Sequence, residues 1–180
     1  KDQATSETIT LSVSCTIDLG GHTLSYSGSG TFIGAGSDKP TLTIRNGTLD
    51  MTDATTTTLN SCVSIPQYSP ATIVIDGVTA KVRGGKLRSA FAVSDEGGSM
   101  TISNCTITEL STGETSATVG INGNGGTINI VNTTVDASAV ASSSSNFKRS
   151  AVMVNAAGAI MNISGTSSFV GKKYSAAACN

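Results

Sequence analysis

Asp95 and Glu96 are adjacent carboxylates that follow the apolar triplet Phe91–Val93, and Arg83 and Arg88 stand in the basic stretch before it. Two carboxylates beside a guanidinium could hold calcium or grip the hydroxyls of a sugar. The competing reading is a polar turn beside a basic loop, both solvated. The wider run Lys81, Arg83, Lys86 and Arg88 could meet an acidic glycan or sialic acid, unless Glu109 and Glu114, in the corresponding stretch one repeat later, neutralise it. His22 is the sole histidine. Asp18 precedes it across a bend and is expected to point outward, so His22 reads as a turn residue rather than a general base. Cys15, Cys62, Cys105 and Cys179 permit two disulfides but also fit small buried thiols, and none of their spacings is a zinc pattern.

What must position these groups is a repeat. A short alternating apolar stretch returns about every 28 residues, with first core residues at Ile17, Leu42, Ile73, Met100, Ile128 and Met161. Two positions on, each copy is aliphatic: Leu19, Ile44, Ile75, Ile102, Ile130 and Ile163. Four positions on stands Gly or Asn, at Gly21, Asn46, Gly77, Asn104, Asn132 and Gly165, the residue types that tolerate left-handed backbone. A Thr-rich column follows at Thr23, Thr48, Thr79, Thr106, Thr134 and Ser167, with Ser168 after it in the last copy. Each unit therefore reads as strand, tight bend, strand. A further apolar triplet precedes most units, at Val63, Phe91, Val119 and Val152, and is expected to show Ser64, Ala92, Gly120 and Met153 on its outer face. Insertions of varied length fall between one unit and the next triplet, where loops absorb them.

The 180-residue chain is the size of one domain, and its 11 basic and 12 acidic residues argue against nucleic acid as the main partner. No apolar run reaches the length of a membrane span. Few aromatics and many Thr, Val, Ile, Gly and Asn indicate an all-β protein. Three strands per coil at this period describe a parallel β-helix of five to six coils. Residues 8–14 of this single domain are expected to start or cap it, 15–170 to form the coils, and 171–180 to be a tail or the start of a further segment.

The pattern resembles the right-handed, single-stranded parallel β-helix of the pectate-lyase-like type. In that family the bend often carries a stacked asparagine ladder, a position that Asn46, Asn104 and Asn132 occupy here. The opening "TIDLGGHTLSYSGSGTFIG" also resembles β-helical surface and secreted proteins of bacteria, in which such a phrase opens the first coil. The resemblance implies an extracellular, secreted or cell-wall-attached protein. It also implies that any substrate lies on the sheet formed by the apolar triplets.

That sheet offers no catalytic carboxyl pair and no base beside a cation, and no catalytic residue is assigned. Arg45 and Asp76 occupy equivalent places in adjacent coils and are expected to pair at the surface. The Asn-x-Thr sequons at the bend follow from the fold. The expected function is a non-catalytic adhesin or stalk with glycan recognition; the alternative is a polysaccharide lyase or glycoside hydrolase. Sugar is expected over Ala92 and Gly120, flanked by Arg83, Arg88, Asp95, Glu96, Asn122 and Asn124; no cofactor is expected, although these groups could hold calcium.

Overall fold

The structure, a computed structural model, describes residues 1–55, 60–83, 88–110, 118–139, 150–171 and 177–179, with backbone alone for Asn60, Arg83, Arg88, Thr118, Val119 and 177–179. It is an all-β parallel solenoid with no helix among the described residues. The first coil comprises β2 (Ile9–Leu11), β3 (Cys15–Asp18) and β4 (Thr23–Tyr26), and β1 (Gln3–Thr5) pairs with β4. In the second coil β5 (Ile33–Ala35) leads to β6 (Thr41–Met51), and in the third β7 (Asn60–Ile65) leads to β8 (Thr72–Arg83). β6 and β8 run unbroken through the bend. The fourth coil is β9 (Arg88–Val93), β10 (Ser99–Ser103) and β11 (Thr106–Leu110). The fifth is β12 (Thr118–Gly123), β13 (Thr127–Val131) and β14 (Thr134–Asp136). The sixth is β15 (Val152–Val154), β16 (Ile160–Ser164) and β17 (Ser168–Val170), and β18 (Ala177–Cys179) adds to β15.

Alternation builds the core. Leu42, Ile73, Met100 and Ile128 pair in register, as do Ile44, Ile75, Ile102 and Ile130, and all are fully buried. Each such side chain contributes about 1.5–3 kcal/mol by leaving water. The four coils from β5 to β14 enclose this core. The outer two are less covered: Ile9, Leu11 and Ile17 are half-buried or exposed at one end, and Ile160 and Ile163 are exposed at the other.

The bend column behaves as its residue types require. Gly21, Asn46, Gly77, Asn104, Asn132 and Gly165 all have positive φ, between 48° and 82°. The asparagines do a second job. Asn46 Nδ2 donates to Asp18 Oδ1 (3.3 Å), Asn104 Nδ2 to Asp76 Oδ1 (2.8 Å), and Asn132 Nδ2 to Asn104 Oδ1 (3.4 Å). The Thr166 amide then donates to Asn132 Oδ1 at 3.0 Å. The ladder is thus mixed: Gly77 interrupts the carboxamides, and the neighbouring Asp76 supplies the acceptor. At Gly165 the Asn132 carboxamide fills the place a Cβ would take.

Four expectations are corrected. Cys15, not Ile17, pairs with Leu42, and Ile17 pairs with Ile44. Gly20 and Gly21, both at positive φ, widen that first bend by two residues before Thr23 rejoins Thr48. In the last coil Ser168 pairs with Thr134 and Phe169 with Val135, because one extra residue in the bend lets the aromatic ring face the core. In β12, Ile121, Asn122 and Gly123 align with Phe91, Ala92 and Val93, so Asn122 rather than Gly120 occupies the outer row. Finally, Arg45 Nε bonds Asp18 (2.9 Å), not Asp76, whose carboxylate instead accepts from Ser103 Oγ (2.6 Å) and Asn104.

The bend can be tested at Asn104. Asn104→Ala leaves at this left-handed position a Cβ without the polar side chain that lets asparagine adopt it, and removes both ladder bonds, whereas Asn104→Gly removes the bonds but relieves the Cβ strain. Urea unfolding should show the alanine variant destabilised by about 2–3 kcal/mol and the glycine variant by about 1 kcal/mol less.

Candidate functional site

The turns that join the first strand of each coil to the second stack into a ridge, since the strands on either side are in register. The third coil contributes Gln67 and Tyr68, the fourth Ser94, Asp95 and Glu96, and the fifth Asn124. Together they line a shallow cleft of about 410 Å³, within the range of small-ligand sites. Tyr68 is 81% exposed and sits at φ 65°. A bulky residue there costs about 1–2 kcal/mol, and this ring returns no core packing for it.

The carboxylates beside the ring are unpaired. Asp95 Oδ1 accepts the Gly97 amide (2.8 Å) in its own turn, and Glu96 is exposed with no hydrogen bond or ion pair among the described residues. Asn124 is oriented from the next coil: its Oδ1 accepts from Asn155 Nδ2 at 3.1 Å. Gly125 and Gly126 follow it, and a Cβ at either would press on the backbone of Ser94 or Asp95. The fifth coil's turn therefore packs closely on the fourth and places no side chain beyond Asn124 at this point. Among the described residues no group of three His, Cys, Asp or Glu gathers around a common point.

The other expected site residues lie elsewhere. Arg88 opens β9 and Asp95 follows its far end, so about 20 Å of extended chain separates them. Arg83 ends β8, on Arg88's side of the coil. The side chains of Arg83, Arg88 and Cys179, and the whole of Lys86 and Glu114, lie outside the described residues. Asn122 is half-buried on the outer row of β12, and its Oδ1 has no hydrogen-bond partner among the described residues. The proposed seat for sugar over Ala92 and Gly120 is overturned: Ala92 is 7% exposed and Gly120 is buried and faces the core. His22 is exposed, with Nδ1 3.5 Å from Asp2 rather than beside Asp18. A second hollow of about 120 Å³ near Tyr26, Asp50 and Asp53 has room only for a few waters.

Glu109 is the largest departure from expectation. It is not a loop residue facing the basic run. It lies in β11 opposite Val82, points inward and has no exposed surface. A Cβ on Gly120 would come within 2.7 Å of its Oε1, so only glycine leaves room for the carboxyl. Neither oxygen has a well-formed hydrogen bond among the described residues. Burial pushes its pKa well up, the Gly120 amide opposes this in part, and Asp136 adds to it. Neither cleft is lined by it. Cys15, Cys62 and Cys105 are free thiols, the last two buried, and burial raises the pKa of Cys105 to about 11.

No known family, curated protein or solved structure matches the chain.

Glu109 makes stability depend on pH in a defined direction. The unfolded chain loses this proton near the ordinary glutamate pKa, while the folded chain keeps it to higher pH. Stability therefore falls as pH rises between the two, by about 1.4 kcal/mol per pH unit. Thermal melts of Glu109→Gln should match the parent near pH 4 and exceed it increasingly towards pH 8. An equal difference at both pH values would mean that the carboxyl does not titrate this way.

Proposed function

We propose that this chain is a non-catalytic module of an extracellular or cell-surface β-solenoid protein, an adhesin or stalk that recognises glycans at the ridge cleft. The observation that carries this reading is Tyr68, a strained and exposed ring set beside hydrogen-bonding side chains from adjacent coils. Sugars present apolar faces to aromatic rings and hydroxyls to carboxylates and amides, and the cleft offers both kinds of contact. Asn124 is oriented by Asn155 before a ligand arrives, which lowers the entropic cost of binding at that residue. No helix is long and apolar enough to cross a membrane among the described residues.

The enzymatic alternative has less to build on. A glycosidase sets two carboxyls on opposite sides of the bond it cleaves, and Asp95 and Glu96 come from one turn. Glu109 has the raised pKa of a general acid but is enclosed in the core.

The test is Tyr68→Gly. Relief of left-handed strain outweighs the added chain entropy of glycine, so the variant should unfold at slightly higher urea, by about 0.5–1 kcal/mol. Calorimetric titration with chitin-derived, cellulose-derived and galacturonate oligomers should show its affinity reduced about tenfold or more against whichever the parent binds. Lack of binding to any of them, or binding that survives the substitution, would overturn the assignment.

A further inference from the structure

Within that glycan-binding reading, we infer that the ligand is an amino sugar carrying a free ammonium group. The inference begins with charge. Asp95 and Glu96 meet no cation within ion-pair distance among the described residues. The described cation nearest along this ridge is Lys39, in the turn of the second coil. That is two coil spacings from Asp95, about 10 Å, with the turn bearing Tyr68 in between. The two carboxylates thus present uncompensated negative charge beside an aromatic ring. A uronate or sialic acid would be repelled here, and a neutral sugar would leave the charge unused.

An ammonium satisfies both features at once. It can donate to the carboxylates as a charge-assisted hydrogen bond, and it is attracted to the negative face of the Tyr68 ring. The remaining groups suit a sugar rather than a bare cation. Because Asn124 Oδ1 is engaged by Asn155, the Asn124 amide donors face away from that bond and remain available to hydroxyls. Ser94 and Gln67 add a hydroxyl and an amide at the same cleft. The lining spans the turns of coils three to five, about 10 Å, comparable to a disaccharide.

The experiment is calorimetric titration of the whole chain with glucosamine tetramer, N-acetylglucosamine tetramer, tetragalacturonate and tetralysine. It is run at low salt and a pH well below the amine's pKa. The expected result is that glucosamine tetramer binds about tenfold or more tighter than the acetylated one, and tetragalacturonate does not bind. In the Asp95→Asn, Glu96→Gln double variant that preference should disappear, the free and acetylated tetramers binding with equal affinity. Glu96 is exposed and Asp95 half-buried, the carboxamide oxygen introduced by Asp95→Asn can still accept the Gly97 amide that Asp95 holds, and an unchanged urea midpoint would establish that the variant is folded. Equal affinity for the free and acetylated amines would overturn the amino-sugar assignment but leave the glycan reading intact. Binding of none of the sugars would overturn both. Tetralysine binding as tightly as glucosamine tetramer, and insensitive to Tyr68→Gly, would overturn it in favour of a basic peptide.

Discussion

The left-handed bend is the constraint on which every coil depends. A parallel solenoid must turn its chain at the same height in each coil, or the strands on either side slip out of register. One residue at positive φ makes that turn, and only glycine and asparagine adopt it cheaply. Asparagine goes further than glycine, because its carboxamide reaches the coil below. Asn104 illustrates the coupling: its backbone makes the turn, its Nδ2 holds Asp76, and its Oδ1 receives Asn132. Asp76 is held below the usual carboxylate pKa by Ser103 and Asn104, so the ladder also favours the charged acceptor it needs. Once the bends are stacked, aliphatic side chains two and four residues before them fall into continuous inward columns, and the turns beyond the strands fall into a ridge.

That ridge is what links the fold to the proposed binding role. Strand side chains on the outer face of the β5–β15 sheet are small or largely covered, as at Gly34, Ala92 and Met153. The connecting turns are under no such packing demand and can carry Tyr68, Asp95, Glu96 and Asn124 into solvent. The close stacking of Gly125 and Gly126 on the fourth coil shapes the cleft without contributing side chains to it.

From Leu42 to Ile130 the register of the two strands around the bend was readable in the sequence, because alternation and the Asn/Gly column agree coil after coil; the triplet strand of the fifth coil has no such column, and there Asn122 rather than Gly120 takes the outer row. The first and last coils misled for one physical reason: bends may lengthen without disturbing the strands, and a count from a single anchor then slips. Ile17 was shifted by the extra residues of the Gly20–Gly21 bend, and Ser168 by the extra residue before it. Glu109 was misplaced because its charge suggested a loop, whereas its position in the alternating pattern of β11 already pointed inward; Gly120, which admits it, comes from another coil. Asp95, Glu96 and Asn124 were picked out by residue type alone. Their assembly with Tyr68 depends on how three turns stack, and a tyrosine between two prolines gives no periodic signal. Arg88 and Asp95 stand at opposite ends of β9, because proximity in sequence along an extended strand is distance in space.

The most direct test of the ridge as a binding surface is backbone amide NMR mapping with glucosamine tetramer. Shift changes confined to Gln67, Tyr68, Ser94 to Glu96 and Asn124 are the predicted result. Changes centred on the outer row at Ala92 and Met153, or scattered with no connection to the turns, would contradict it.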